Sequence, residues 1–199
     1  MTGRIAGDVD DHILNYAMRM IASQVPLPHP RAHAEIGTLF GGSLILTLFA
    51  LREAGSQDLV LAIDPLSGYY GQGNDVATGL PVTRETVEAN LHAFGFLDGR
   101  VHLVTATSQS AVAIDALRGY HLASIWIDGD HSYQGLATDW ANYSTLVRRG
   151  GYVLIDNYRD SAWPEVTEFV DGHLQPPPPD WEVAGVMGRS ILVRQVGSQ

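Results

Sequence analysis

Two apolar runs in this chain end abruptly in side chains that can bind a cation or move a proton. Ile125-Trp126-Ile127 leads into Asp128-Gly129-Asp130-His131-Ser132-Tyr133, and Tyr152-Val153-Leu154-Ile155 leads into Asp156-Asn157. Open α/β sheets build ligand sites in this way, with buried parallel strands delivering polar groups at their C-terminal ends. Two such ends, one crossover helix apart, let Asp128, Asp156 and Asn157 meet at one ion. Two carboxylates and an amide oxygen are hard ligands, suited to Mg2+, Mn2+ or Ca2+ rather than zinc. Adjacent residues of a regular strand point to opposite faces, so Asp156 and Asn157 share an ion only if the strand has ended by Ile155. The plainer alternative is that Asp128 and Asp156 cap helices or orient loops. His131, with an ordinary pKa of about 6.5, is a competent general base at neutral pH; otherwise it is a helix-start residue bonded to nearby backbone. Asp130 can tune His131 or reach a ligand.

A second constellation follows the first strand: Glu35-Ile36-Gly37-Thr38-Leu39-Phe40-Gly41-Gly42-Ser43. Its glycines let the backbone turn sharply and approach a ligand closely. The spacing is Gly-x-x-x-Gly, not the Gly-x-Gly-x-x-Gly of a pyrophosphate cradle. Glu35 ahead of it would repel a diphosphate but suits a cationic ligand. S-adenosylmethionine, with an ammonium and a sulfonium, is such a ligand. Asp64 ends the next strand, where an acid can accept ribose hydroxyls, although an aspartate before Pro65 also simply marks a turn. Ser108 and Gln109, after the third strand, can read an adenine edge, or Ser108 can merely cap the following helix.

These groups need a frame. Strand-like runs at 32–36, 59–64, 101–106, 122–128 and 152–156 alternate with helical spacing, such as Leu44, Leu48 and Leu51, or Leu136, Trp140, Tyr143 and Val147. The latter helix is expected to start at an N-cap Ser132 and to end at Arg148-Arg149-Gly150, with cations in its last turn. The alternation reads as a parallel sheet covered on both faces. A helix over 163–173, a proline spacer at 176–179 and two short strands flanking Met187-Gly188-Arg189 predict an antiparallel hairpin at one end of the sheet. Residues 65–82 form a loop far longer than the usual two to six or so. It is a candidate lid carrying Tyr69 and Tyr70. Tyr133, Tyr158 and Trp163 either line a pocket with them or pack. An amphipathic helix at 12–21 can cover the site or meet a second copy in a homodimer. His33, His92, His102 and His121 show no metal-ligand spacing and read as surface or packing residues.

The chain has 199 residues, a single domain's length, with no cysteine and no lysine; all 12 basic residues are arginine. Disulfides, thiolate metal sites, cysteine nucleophiles and lysine chemistry are therefore absent. A net charge of −10 argues against nucleic acid or an anionic membrane as partner and for a small molecule. The N-terminus, with Asp8, Asp10 and Asp11, has no signal-peptide pattern. The most apolar stretch, 36–51, is interrupted by glycines and short of the 20 or so residues a membrane span needs. A soluble cytoplasmic protein is expected.

Taken together, these motifs over residues 32–157 resemble those of class I S-adenosylmethionine-dependent methyltransferases. The similarity is greatest to small bacterial methyltransferases with an Ile-Asp-Gly-Asp-His-Ser-Tyr motif, with features shared by catechol-type metal-dependent O-methyltransferases. The resemblance implies a Rossmann-like, doubly wound α/β sheet of seven strands, mostly parallel, with the last strand inserted antiparallel. It implies S-adenosylmethionine over Glu35, Gly37, Thr38, Gly41, Ser43, Asp64, Ser108, Gln109 and Asp128, and a divalent cation, Mg2+ first, on Asp128, Asp156 and Asn157. Where the catechol-type enzymes have a catalytic lysine, this chain has His131, which with Asp128 forms the expected catalytic pair. The expected activity is O-methylation of a small-molecule hydroxyl on a natural product, sugar or catechol. A metal-independent methyltransferase, a nicotinamide-dependent reductase and a non-catalytic nucleoside-binding protein are the alternatives.

Overall fold

The computed structural model describes all residues except 8, 29, 69–71, 98 and 198–199. Asp8, Tyr69 and Tyr70 therefore lie outside the described residues. The chain runs α1 (Val9–Ser23), β1 (Arg31–Ile36), α2 (Gly42–Glu53), β2 (Leu59–Ile63), α3 (Arg84–Ala93), β3 (Val101–Val104) and α4 (Ala111–Leu117). It continues with β4 (His121–Ile127), α5 (Tyr133–Tyr143), β5 (Val147–Ile155), α6 (Pro164–His173), β6 (Trp181–Met187) and β7 (Ser190–Gln195). The strands form one sheet in the order β3-β2-β1-β4-β5-β7-β6. Strands β1 to β5 pair in parallel, while β7 inserts antiparallel between β5 and β6. This is the expected doubly wound topology. The strand order reverses between β1 and β4, which opens a crevice at their C-terminal ends.

Alternation along the strands sends side chains to the two faces of the sheet, which carry three core clusters among the described residues. Ala34, Ile36, Ile125, Ile127, Val153 and Ile155 pack beneath α4, α5 and α6. On the other face α2 and α3 cover Val60 and Ala62, and α1 covers Trp126, Leu154 and Leu192. Glu35, in register with Trp126, lies on the α1–α2 face. Each fully buried aliphatic side chain contributes about 1.5–3 kcal/mol, so both layers are firmly attached. No helix among the described residues is long and apolar enough to cross a membrane.

One expected boundary is wrong. Ser132 does cap α5, accepting from Gly135 N at 3.0 Å, but the helix stops at Tyr143 and has no cation in its last turn. A short 3-10 turn, Ser144–Leu146, follows. Val147 then pairs with Leu122, and the next paired residue of β5 is Tyr152, opposite Ser124. Arg148 and Arg149 thus belong to a bulge of the strand, not to a helix end. Their cations and the following glycines mimic a helix stop, but burial of Val147 in the sheet decides the geometry.

The N-terminal ends of the strands are tied by a buried polar cluster. His33 bridges Ser124 Oγ at 2.8 Å and Asp58 Oδ2 at 3.3 Å, and Arg31 Nε also donates to Asp58. His33 is therefore a packing histidine, as its spacing suggests. Burial alone would raise the Asp58 carboxyl; hydrogen bonds from His33, Ser56 and Arg31 outweigh it and hold the group well below its usual range. A depressed carboxyl contributes stability above its unfolded pKa of about 3.9 and loses it as pH falls. Asp58→Ala should cost about 3 kcal/mol in urea denaturation at pH 7, and the gap from wild type should narrow steadily below about pH 4.

Candidate active site

Four strand ends form one row. The amide of Asp64 donates to Val104 O (3.2 Å), Gly37 to Ile63 O (3.0 Å), Asp128 to Ile36 O (2.9 Å) and Asp156 to Ile127 O (3.1 Å). The parallel ladder thus runs one bond past β2, β1, β4 and β5, and sets these residues side by side at a strand spacing of about 4.8 Å. Each apolar run stops here because the next side chain leaves the layer between sheet and helices.

A cavity of about 720 Å³ opens over this row, a volume suited to a nucleoside-sized ligand with a small second molecule. Gly37, Thr38, Ser43 and Asp64 line one part of it, and Ser108 and Gln109 another. Asp128, His131, Asp156 and Asn157 line a third. Gly37 has φ +83°, and a Cβ there would fall 1.9 Å from the carbonyl oxygen of Asp128. Only glycine lets β1 and β4 end this close together. The turn is held from β2: Asp64 Oδ2 accepts from Thr38 N (2.7 Å) and Leu39 N (3.1 Å), and Oδ1 accepts from Leu66 N (2.7 Å). Asp64 therefore builds the turn as well as lining the cavity. The Thr38 hydroxyl is buried and has no partner among the described residues.

Two residues expected to face the cofactor do not line the cavity. Glu35 is 1 % exposed and absent from the cavity wall. Its Oε2 is held by Arg19 Nη1 (3.3 Å) and Ser43 Oγ (3.1 Å). Burial pushes its carboxyl up to about 7, against the pull of Arg19. The reason is α1, which lays a guanidinium between this acid and the cavity. Gly41 is also off the wall; in a left-handed conformation, φ 82°, it starts α2 beside Val87.

At the acidic end, His131 Nε2 lies 2.7 Å from Asn157 Oδ1 and 3.2 Å from Asp128 Oδ1, and its ring stacks on Trp163 with centroids 4.4 Å apart. Burial disfavours the imidazolium, but Asp128, Asn157 and the charge of Asp156 outweigh it, so His131 titrates above its ordinary value. Asp130 does not bond to His131; it accepts from Ser132 N at 2.9 Å. Asp156 Oδ1 accepts from Ser190 Oγ at 2.6 Å. Burial and the Asp128 charge push Asp156 up to about 6. Asn157, at φ 59°, has left the strand, as sharing an ion requires. Its Oδ1 and Asp128 Oδ1 converge, but on His131 Nε2. Among the described residues no three His, Cys, Asp or Glu are grouped to hold a metal ion, so a cation site here depends on the Asn157 amide oxygen.

Some wall residues were not anticipated. Asp11, His12, Asn15 and Arg19 come from α1, and Arg189 from the turn between β6 and β7. Arg189 Nη1 holds Asp160 Oδ2 (2.9 Å), which accepts from Asn157 Nδ2 (3.3 Å), while Arg189 Nε donates to Asp11 Oδ2 (2.8 Å). The amide of Asn157 is thereby turned with its oxygen toward His131. The sequence carries one hint: Asp11, Asn15 and Arg19 recur every fourth residue, a polar stripe on a helix face that is otherwise buried. Trp163 lines the cavity, whereas Tyr133 packs on Phe169 and Tyr158 is buried with its hydroxyl on Asp171. Of the 65–82 loop, Pro65, Ser67, Gly68 and Val82 reach the wall, and Asp75 is clamped by Arg4.

Comparison with known proteins places this architecture. Residues 34–158 match the family model described as a methyltransferase domain. An uncharacterized protein, R132, of Acanthamoeba polyphaga mimivirus is 31% identical over 142 residues, 70% of this chain and 57% of the viral one. The matched region thus spans little more than half of that relative. Among solved structures, the O-methyltransferase NovP shares 20% identity over 92% of this chain and 79% of its own, with a TM-score of 0.69. The O-methyltransferase TomG from Streptomyces achromogenes, in complex with SAM, shares 16% over 97% and 82%, with a TM-score of 0.64. At these identities the likeness to the solved structures is one of fold.

The Gly37 contact allows a direct check. Gly37→Ala should lower stability by at least about 2 kcal/mol in thermal or urea denaturation, because both the positive φ and the Asp128 carbonyl oppose the new methyl. A variant as stable as wild type would show that the two strand ends are not locked together.

Proposed function

Because the chain belongs to the methyltransferase-domain family, we propose that it transfers the methyl group of S-adenosylmethionine to a hydroxyl of a small molecule. The observation that carries this reading is the single row of strand ends, with a glycine turn braced by Asp64 at one side and Asp128, His131 and Asn157 at the other, all on one cavity. The residues present fit the cofactor. Gly37 presents bare backbone to the cavity, Thr38 carries a buried hydroxyl at the wall with no partner among the described residues, and Ser108 and Gln109 offer polar groups for a purine edge. When bound, the cofactor supplies an electrophilic methyl on sulfur.

The chain's own residues then orient an acceptor and manage its proton. Because Asn157 Oδ1 and Asp128 Oδ1 can only accept, the neutral ring carries its hydrogen on Nε2; His131 takes the proton of the acceptor hydroxyl at Nδ1, and the two oxygens stabilise the imidazolium through Nε2–H. Asp160 and Arg189 keep the Asn157 amide oxygen facing the ring. Trp163 covers one face of the imidazole and excludes water from it. The donor chemistry also suits a divalent cation held by Asp128, Asp156 and Asn157. Burial first, and the Asp128 charge second, raise the Asp156 carboxyl, and a cation would offset both. Held there, it would supply Lewis-acid stabilisation of a developing alkoxide or phenolate.

S-adenosylhomocysteine should raise the melting temperature saturably, whereas NADH should not; the opposite pattern would discard methyl transfer. On a panel of catechols, phenols and sugars, scored by S-adenosylhomocysteine release, His131→Ala should slow turnover about 10²- to 10⁴-fold with cofactor affinity retained. The rate should fall as pH drops through the raised His131 pKa, because only the neutral ring accepts a proton. Asp156→Ala or a chelator should abolish turnover while cofactor binding survives, and turnover unchanged by chelator would remove the metal from the scheme.

A further inference from the structure

Ahead of α1, residues 2–7 belong to no helix or strand, yet Arg4, Ile5, Ala6 and Gly7 line the cavity. Interlocking side chains seat this segment. The Phe40 ring fills the space a side chain at Gly3 would need, 2.3 Å from such a Cβ, and Ile5 fills the matching space at Gly42, also at 2.3 Å. The side-chain amide of Asn90 in α3 pairs with Thr2 in both directions, accepting from its N–H (2.7 Å) and donating to its carbonyl (2.9 Å). Arg4 then reaches the connection between β2 and α3. Its Nη2 donates to Asp75 Oδ1 at 2.8 Å and its Nε to Oδ2 at 3.1 Å, a two-pronged grip on a fully buried carboxylate.

The grip has the character of a latch. Thr78 N (2.9 Å) and Thr78 Oγ1 (2.7 Å) also donate to Asp75, so the carboxylate keeps two donors when Arg4 leaves. What goes with Arg4 is a cation beside a buried charge, which favours the closed state without forbidding the open one. The far end of the segment is anchored, because Arg189 holds Asp11 in the first turn of α1. Between anchor and latch stands Gly7 at φ +95°, a conformation that glycine adopts freely. Seated, the segment rests on the first residue of α2 and is tied to the β2–α3 connection, so it bridges two walls of the cofactor half. Segments with no regular structure and few buried contacts open readily, and such covers often set the rate at which ligands enter and leave. We propose that residues 2–7 are a strap over the cavity, latched by Arg4 on Asp75, and that its opening limits exchange of the ligand beneath. The proposal adds a moving part to the methyltransferase reading and rests on that reading only for the ligand used as probe.

Stopped-flow binding of S-adenosylhomocysteine to the full chain, followed by tryptophan fluorescence, reads the gate. Arg4→Ala should raise the association and dissociation rates together, each by about tenfold, the value of one charge-assisted hydrogen bond, with Kd held within about threefold. Arg4→Lys, which keeps the charge and loses the fork, should fall between that variant and wild type. Faster dissociation alone would make Arg4 a fixed part of the pocket, and unchanged rates would make the segment static; either result overturns the proposal. A second readout needs no ligand. Thermolysin should cut ahead of Ile5 from the lifted strap, so Asp75→Asn should speed that cut about tenfold, followed by mass spectrometry, at a melting temperature near wild type. Cutting at the wild-type rate also overturns the strap. If the probe does not bind wild type, the methyltransferase reading falls by itself, and the thermolysin result still decides this one.

Discussion

The site depends on one backbone constraint: β1 and β4 must end within van der Waals reach of each other. Gly37 has no side chain to hold them apart, and the Asp128 carbonyl occupies the space a methyl would need. The sheet's hydrogen bonds continue one rung past four strands, so Asp64, Gly37, Asp128 and Asp156 are placed by the ladder itself. No side-chain interaction has to bring the two halves of the site together. That is a stiff arrangement, since moving any one of these residues breaks a rung shared with its neighbour. It suits displacement chemistry, in which donor and acceptor must stay aligned.

The same constraint creates an electrostatic problem. Adjacent rungs bring Asp128 and Asp156 close, and the protein meets the repulsion in two ways. It buries Asp156 beside Ser190 with a raised carboxyl, and it surrounds the row with cations from elsewhere. Arg19 arrives from α1, and Arg189 arrives from the β6–β7 turn. Each is held by an acid of its own, Glu35 for Arg19 and Asp11 with Asp160 for Arg189. The two ends of the chain are thus joined over the cavity by alternating charges.

The alternation of apolar runs and helical spacing was enough to define a doubly wound sheet, because buried parallel strands are uniformly apolar and end where the layer ends. The C-terminal hairpin was equally plain from two strand-like runs around Gly188. What misled was the end of α5. Arg148, Arg149 and Gly150 have the composition of a helix stop, yet the helix ends at Tyr143 and those residues bulge from β5. Local composition reports local preference, and here the pairing of Val147 with Leu122 overrode it. The surroundings of Glu35 were not legible for a related reason: its position in β1 is read from the chain, but what covers it comes from a helix sixteen residues earlier.

The sequence by itself determined which residues stand at the strand ends, since an apolar run that stops in Asp, Gly or Asn marks the edge of the core wherever it is placed. It therefore determined the row of Gly37, Asp64, Asp128 and Asp156 and the chemistry available there. Only the tertiary structure decided what faces that row. The entry of Arg19 and Asp11 from α1, the hold of Arg189 on Asp160, the stacking of Trp163 on His131 and the retreat of Glu35 beneath a guanidinium are contacts between distant segments. Their distances follow from how helices pack on the sheet, and no local spacing encodes that packing.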